Sequence, residues 1–198
     1  MTVNTALPVL GPALLILLAL TWGLARLLLL YRRDGVRVVQ WRRGRILGIE
    51  RGLVALAVLL DLYLLGRPLF PVFDDWFQAW PSPAPLVGLL LAAGGLALMA
   101  MAQTSMGRAW RIGLPPADQA GEALITGGLF RYSRNPIYLG ILITLLGFAL
   151  AAPSPITLAA PILTYLGLRR IIAREEAFLR SRFGPAFDAY AARVSRWL

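Results

Sequence analysis

Five runs of mostly apolar residues constrain this chain more than any other feature of its sequence. A helix that crosses the hydrocarbon core of a bilayer needs about 20 such residues. The runs cover residues 8–30, 52–69, 85–103, 136–152 and 156–167, and the last two are short. Only 15% of the residues are charged, against about 25% in soluble domains. We therefore predict an all-α integral membrane protein with about five transmembrane helices.

Arginine is the only basic residue type in the chain, and its 20 copies are unevenly distributed. Eight lie within residues 26–51, four within 108–134 and seven within 169–196. Only Arg67 falls on the other side of the predicted membrane, near the Asp74–Asp75 pair. Because arginine-rich loops stay in the cytoplasm, five crossings put the N-terminus outside and the C-terminus inside. We expect a bacterial inner-membrane protein whose active site is on the cytoplasmic side.

The order of the segments predicts a single membrane domain. Residues 1–103 hold three spans, and residues 104–198 hold a cytoplasmic loop, a helical hairpin and a C-terminal helix. The Pro153–Pro155 turn is so short that the last two spans form a tight hairpin. Apolar residues from Phe178 to Trp197 recur at helical spacing, which indicates an amphipathic stretch broken at Gly184. Small residues in the third span indicate close helix packing.

The chain contains no histidine, cysteine or lysine. This inventory excludes disulfides, a histidine or cysteine metal site, a Ser-His-Asp triad and a Schiff-base lysine. We expect no bound metal. The basic pI of 11.3 is compatible with nucleic acid or with a membrane surface. The arginines adjoin apolar runs, so we expect the membrane as a partner and no nucleic acid.

The start of the fourth span is the first candidate site. Asn135 is a suitable N-cap, and Pro136 suits the first helical position, where its missing N–H costs nothing. The free N–H groups of such a helix end favour an anion. Arg131 and Arg134 add positive charge beside it. Two positive-inside arginines at a helix start would explain the same pattern.

Two adjacent acidic residues, Glu175 and Glu176, follow the fifth span and stand among arginines. Neighbours on a helix point about 100° apart. One glutamate can therefore face a pocket while the other pairs with Arg174 or Arg170. A membrane-surface anchor is the alternative interpretation, and the acidic pair fits it poorly because an anionic leaflet repels carboxylates.

Asp61 lies well inside the second span. A charge at such a depth costs roughly 2.5–3.5 kcal/mol on insertion scales, and it suggests a functional site. Protonation, or an ion pair with an arginine of a neighbouring helix, would explain it equally well.

The segments LITGGLFRYSRNPIYLG and REEAFLRSRFGPAFDAYAARVSRW, separated by a helical hairpin, resemble the isoprenylcysteine carboxyl methyltransferase family and the related phospholipid N-methyltransferases. The resemblance covers about the C-terminal half, from Met106 onward. It implies that the loop, hairpin and C-terminal segment enclose S-adenosylmethionine. The implied cofactor-binding positions are Leu124, Ile125, Gly128, Arg134, Asn135, Pro136, Tyr138, Glu175, Glu176 and Tyr190. Backbone near the first three would line the adenosine site.

Departures from the family pattern concern the acceptor more than the cofactor. Asn135 stands where histidine is frequent, and Phe130 and Phe187 stand where tyrosine is common. The resemblance makes Arg134 and Glu176 our candidates for catalytic residues. Asp61 is a third candidate because it lies inside the second span.

Methyl transfer is an in-line displacement that depends mainly on positioning, so a chain without histidine, lysine or cysteine can catalyse it. A carboxylate acceptor arrives ionised, whereas an amine must first lose a proton. We therefore favour a lipid, a lipidated substrate or another lipophilic molecule with an acidic acceptor group. The alternatives are a phospholipid amine N-methyltransferase, an NADPH-dependent sterol or enone reductase, and a non-catalytic membrane scaffold. The sequence leaves the oligomeric state open.

Overall fold

The computed structural model describes residues 3–34, 48–107, 110 and 123–198, and within them the chain is helical without strands. These residues form seven α-helices: α1 Val3–Asp34, α2 Gly48–Gly66, α3 Val72–Trp76, α4 Pro85–Met106, α5 Pro136–Ala151, α6 Pro155–Phe183 and α7 Pro185–Arg193. A 3₁₀ turn, Gly128–Arg131, precedes α5. The predicted all-α class is confirmed.

Each predicted apolar run falls on one of the helices α1, α2, α4, α5 and α6. Among the helices described, α1, α4 and α6 are long and apolar enough to cross a membrane. Helix α5 is apolar but shorter, and α2 carries three charged residues in 19. The number of crossings, their orientation and the single-domain division remain predictions. The arginine-containing segments 35–47 and 111–122 lie outside the described residues.

Helices α4 and α5 pack backbone to backbone through small residues. A Cβ built on Gly95 would lie 2.5 Å from the Thr144 backbone nitrogen, and one on Gly140 would lie 2.7 Å from the Gly95 oxygen. A side chain at either position would therefore push the helices apart. Gly94, next in sequence, has open space around its Cβ position. The predicted packing role of the small residues in this segment is confirmed for Gly95 and not for Gly94.

Helix α6 is longer than the sequence pattern predicts. The apolar run ends near Gly167, but no residue interrupts the helix before Gly184, so it continues through charged residues to Phe183. Its 29 residues correspond to about 43 Å at 1.5 Å per residue, which exceeds a hydrocarbon core of about 30 Å. We take the charged segment from Arg169 onward as lying outside the membrane-spanning part. The predicted break is present, because Gly184 has a φ of +50° and Pro185 begins α7.

Arg67 lies directly after α2, at the end of the bundle opposite to α7, and is only 6% exposed. Its Nε and Nη2 atoms donate to the Asp74 carboxylate at 2.5 and 3.0 Å, and Nη1 donates to the Pro8 carbonyl at 2.8 Å. Its guanidinium also lies 5.6 Å from the centre of the Tyr63 ring. The one arginine that departs from the charge asymmetry is thus neutralised inside the fold.

Candidate active site

The residues between the 3₁₀ turn and α5 are bound to the C-terminal tail. The Arg134 backbone N–H donates to the Ser195 carbonyl at 3.0 Å, and the Asn135 side-chain amide donates to the Arg196 carbonyl at 2.9 Å. Asn135 occupies the predicted N-cap position of α5, but its side chain caps no helical N–H. The tail carbonyl takes the amide donor, so Asn135 fixes the tail instead of the helix start.

Arg134 holds three elements together. Its Nη2 donates to Glu176 Oε1 at 2.9 Å, and its Nη1 donates to the carbonyls of Ala191 and Val194 at 2.8 and 3.2 Å. Its Nε is buried and has no hydrogen-bond partner among the described residues. Arg196 reaches the same glutamate, with Nε 3.0 Å from Oε1 and Nη2 2.5 Å from Oε2. We call Arg134, Glu176 and Arg196 the arginine–glutamate cluster.

This cluster carries more positive than negative charge, because two arginines share one carboxylate. Burial raises the pKa of Glu176, but the hydrogen bond from Arg196 and the charges of both arginines outweigh burial and hold that pKa below its usual range. The same hydrogen bond raises the pKa of Arg196. Glu176 is therefore ionised at neutral pH, and its charge is fully engaged within the protein.

Glu175 has a different environment. The Tyr138 hydroxyl donates to Glu175 Oε1 at 2.6 Å, and Glu175 has no ion pair with any residue in the described part of the chain. Burial raises the pKa of Glu175 to about 7, and the neighbouring charges of Glu50 and Glu176 act in the same direction. The hydrogen bond from Tyr138 opposes that shift. Glu175 is thus a carboxylate that lacks a counter-charge.

The prediction that one glutamate of the pair binds Arg174 or Arg170 names the wrong arginines. Glu176 pairs with Arg134 and Arg196, while Arg174 lies 4.0 Å from Glu50 of α2. Residues two apart on a helix point to nearly opposite sides, so Arg174 cannot face Glu176.

The 3₁₀ turn packs between α4 and α7. Gly128 has a φ of +59°, and a Cβ on it would lie 3.1 Å from Ser105 Oγ, so glycine suits both the backbone and the space. The Tyr190 hydroxyl donates to the Phe130 carbonyl at 2.6 Å, and burial raises the pKa of Tyr190. Leu124 and Ile125 are partly buried in the segment before the turn. Their expected role in binding adenosine remains a prediction.

The structure brings several of the predicted site residues together and places Asp61 apart from them. Hydrogen bonds join Arg134, Asn135 and Glu176 through the C-terminal tail. Pro136 is buried at the first position of α5, and the Tyr138–Glu175 pair follows it. Asp61 lies in a separate recess among α1, α2, α4 and α5. Its predicted catalytic role remains a prediction.

Arg196 is the member of the cluster that sequence reasoning did not select. It stands twenty residues after Glu176, among several other arginines, and nothing in its spacing distinguishes it from them. Only the return of the tail to the start of α5 brings it to Glu176. Ser133 and Asn135 bind the tail together with Arg134, and the signal for this in the sequence was a set of polar residues next to the start of a predicted helix.

Apolar helices of membrane-spanning length, with a charged cluster beyond the apolar part of α6, are typical of a helical membrane protein with a candidate site at one end. The family model described as "Phospholipid methyltransferase" matches residues 84–186, just over half of the chain. The chain therefore belongs to this family of membrane methyltransferases.

Three named proteins are similar to this chain. A "Probable protein-S-isoprenylcysteine O-methyltransferase" of Oryza sativa subsp. indica is 28% identical over 143 residues, covering 71% of this chain and 72% of that protein. "Protein-S-isoprenylcysteine O-methyltransferase A" of Arabidopsis thaliana is 29% identical, covering 71% of each chain. "Nickel-cobalt-cadmium resistance protein NccN" of Alcaligenes xylosoxydans xylosoxydans is 29% identical, covering 75% of this chain and 62% of that protein. No solved structure matches the chain significantly.

Proposed function

We propose that this protein transfers a methyl group from S-adenosylmethionine to a lipophilic acceptor at the cytoplasmic face of a membrane. Family membership supports the reaction class. The expected topology supports the location, because the arginine-rich segments share one side with Glu175 and Glu176. The site then lies where a lipid acceptor can enter sideways from the bilayer.

The observation that carries the proposal is the uncompensated carboxylate of Glu175. S-adenosylmethionine, when bound, supplies an activated methyl group on a sulfonium cation, and it also carries an amino group and a carboxylate. Glu175 is partly buried and receives a hydrogen bond from Tyr138, but it pairs with no arginine of the described chain. A buried carboxylate without a counter-ion favours a cationic ligand, so Glu175 fits the cationic end of this cofactor.

The arginine–glutamate cluster fits the opposite end of the same molecule. Two arginines share one carboxylate, and Arg134 Nε is a buried donor with no partner in the described chain. Such a donor favours an acceptor oxygen, because an unsatisfied buried N–H costs free energy. Arg134 Nε would therefore donate to the cofactor carboxylate. Glu176 becomes a positioning residue that orients Arg134, because both of its oxygens are already engaged.

A carboxylate is the favoured acceptor group. The names of the plant relatives describe O-methylation of protein S-isoprenylcysteine, which supports an O-methyl acceptor here. A carboxylate already has the electron pair that attacks the methyl carbon, so the chain needs no strong base. A phospholipid amine is the second candidate, supported by the family description. An amine would need to lose its proton, and Glu175, next to the arginine–glutamate cluster, would be the acceptor for that proton.

Calorimetry on the detergent-purified full chain tests the cofactor assignment, with S-adenosylmethionine, S-adenosylhomocysteine and NADPH as ligands. We expect micromolar binding of the first two and none of NADPH. Binding of NADPH alone would favour the sterol or enone reductase. If the folded protein binds none of the three ligands, the non-catalytic scaffold would be favoured.

The acceptor is tested with the methyl-labelled cofactor and two acceptors in the same vesicles, an S-prenylated cysteine and phosphatidylethanolamine. We expect a base-labile methyl ester on the first. A base-stable N-methyl product on the second would replace the carboxylate with the amine.

A further inference from the structure

A recess of about 280 Å³ lies among α1, α2, α4 and α5, away from the arginine–glutamate cluster. Leucine, isoleucine, alanine, methionine and phenylalanine side chains form most of its lining. Asp61 and Thr144 are the two polar residues among them. Its size is close to the lower end of small-molecule pockets, which hold about 300–1,000 Å³.

The two polar residues of the recess differ in their bonding. The Thr144 hydroxyl donates to the Gly140 carbonyl at 2.8 Å within α5, so it is satisfied by its own helix. Asp61 forms neither a hydrogen bond nor an ion pair with any residue that the structure describes. A carboxyl group in apolar surroundings is costly unless it has a partner, and here the fold supplies none. A hydrogen-bond donor on a ligand would supply such a partner.

The recess lies along the same face of α5 as Tyr138, deeper in the predicted membrane. Tyr138, Ile141, Leu145 and Phe148 are spaced by three and four residues, so they share one face of the helix. Tyr138 binds Glu175, and the other three line the recess. At 1.5 Å per residue, the lining residues lie roughly 5–15 Å deeper than Tyr138. A molecule whose reactive group is near Tyr138 would extend its hydrocarbon part into the recess.

We infer that the recess receives the hydrocarbon part of the methyl acceptor and that Asp61 selects acceptors with a hydrogen-bond donor on it. The donor is a hydroxyl or an amine, roughly 5–15 Å from the group that is methylated. This inference rests on the proposed function and names its substrate class. Asp61 is then a specificity-determining residue and not the base. It lies outside residues 84–186, which match the family model, so this selectivity belongs to the N-terminal helices of this chain.

Binding of two matched acids tests the inference without the cofactor. One is a long-chain fatty acid with a mid-chain hydroxyl, and the other is the unsubstituted acid of the same length. Each acid displaces a fluorescent fatty acid from the purified full chain. We expect the wild type to bind the hydroxy acid at least about tenfold more tightly, because the unsubstituted acid leaves Asp61 unpaired. Equal affinities in the wild type would overturn the inference.

Asp61→Leu is the decisive variant, and Asp75→Leu is the matched control because Asp75 is exposed on α3. We expect Asp61→Leu to lose the preference for the hydroxy acid and to keep or raise its melting temperature, since an unpaired carboxyl has left an apolar recess. Asp75→Leu should keep the preference. A preference that survives in Asp61→Leu, or a Tm that falls without any change in preference, would assign Asp61 a purely structural role and overturn the inference.

Two further measurements distinguish a failure of this inference from a failure of the proposed function. Binding of S-adenosylhomocysteine should be unchanged in Asp61→Leu, and its absence from the wild type would refute the methyltransferase without altering the acid preference. Methylation is then measured in vesicles. We expect the hydroxy acid to be methylated, or to compete with the acceptor that is. An Asp61-dependent preference for an acid that does neither would make the recess a lipid site unconnected with the reaction, and the inference would fail.

Discussion

The two ends of the molecule use the same chemistry in different proportions. At the outer end of the predicted topology, Arg67 faces one carboxylate, and all three guanidinium nitrogens donate to Asp74 or Pro8. At the inner end, Arg134 and Arg196 share Glu176, and Arg134 Nε remains without a partner in the described chain. The first site is balanced in charge and complete in hydrogen bonds. The second has an excess of positive charge and a free donor.

This difference separates a structural ion pair from a candidate binding site. A buried arginine whose donors are all satisfied gains nothing from a ligand. A buried arginine with an unused N–H gains a hydrogen bond when an acceptor oxygen arrives. Burial alone does not distinguish the two sites, since the side chains of Arg67 and Arg134 are only 5% and 15% exposed. The count of partners distinguishes them.

The first prediction replaces Arg134 and Arg67 in turn with methionine, which is similar in length but has no guanidinium group. The Arg134 variant has the largest expected effect. Arg134→Met eliminates the bonds to Glu176 and to the tail carbonyls. Hydrogen bonds to charged groups contribute about 1.5–3 kcal/mol each, so methyl transfer should fall roughly hundredfold or more. Transfer from a labelled cofactor, and calorimetry with S-adenosylhomocysteine, measure the loss.

Arg67→Met is the matched control at the outer end. It leaves Asp74 without its partner and the Pro8 carbonyl without its donor, so the melting temperature should fall. The folded fraction should still bind S-adenosylhomocysteine with wild-type affinity. Equal weakening of binding in the two variants would erase the distinction between the two ends.

The second prediction compares two changes inside the arginine–glutamate cluster. Glu176→Gln leaves Arg134 and Arg196 close together without a negative charge between them, whereas Arg196→Ala leaves the Arg134–Glu176 pair intact. We expect Glu176→Gln to weaken cofactor binding by roughly tenfold or more and Arg196→Ala to weaken it only severalfold. Calorimetric titration measures both. Equal losses would place the pocket away from Glu176.

The third prediction uses pH, because Glu175 has a pKa of about 7 in the folded protein. It is ionised above that pH and neutral below it, so it balances a cation only at the higher pH. Affinity for S-adenosylmethionine should rise by about tenfold from pH 6 to pH 8. Glu175→Gln, which has no charge to gain, should show a flat profile. A wild-type profile as flat as that of the variant would remove Glu175 from the cation site.

The same group affects stability with the opposite sign. The pKa of Glu175 is raised above its ordinary value of 4.5, so the folded state holds this proton more tightly than the unfolded state. Its contribution to stability is fully present below about pH 4.5 and is lost as the pH rises through about 7. The melting temperature of the ligand-free protein should therefore fall over this range, and it should fall less in Glu175→Gln.

The helices could be predicted from sequence because local patterns determine them. Apolar runs identified α1, α2, α4, α5 and α6, and the Gly184–Pro185 break was visible as a residue pair with a known backbone effect. The length of α6 was underestimated, because hydropathy marks where the membrane ends and not where the helix ends. Charged residues with good helix propensity carry α6 on to Phe183.

The connections of the site could not be predicted, because they depend on tertiary folding. Helical spacing excludes partners for Glu176 but cannot select one that lies twenty residues away. Arg196 reaches Glu176 only because the tail turns back to the start of α5, where its carbonyls accept hydrogen bonds from Arg134 and Asn135. The site residues were thus identifiable by type and motif, while their roles depended on which donors the tail had already used.

The smallest predicted effect extends the comparison to a third ion pair, Arg180 with Asp188. Their side chains are 54% and 56% exposed and 2.7 Å apart, so water competes for both charges. Exposed pairs typically contribute only about 0.2–1 kcal/mol. Arg180→Ala and Asp188→Ala should each leave the melting temperature and cofactor affinity close to wild type, as a double-mutant cycle measures. A coupling as large as that between Arg67 and Asp74 would mean that burial and completeness of bonding do not rank these pairs. The contrast between the two ends would then need another physical cause.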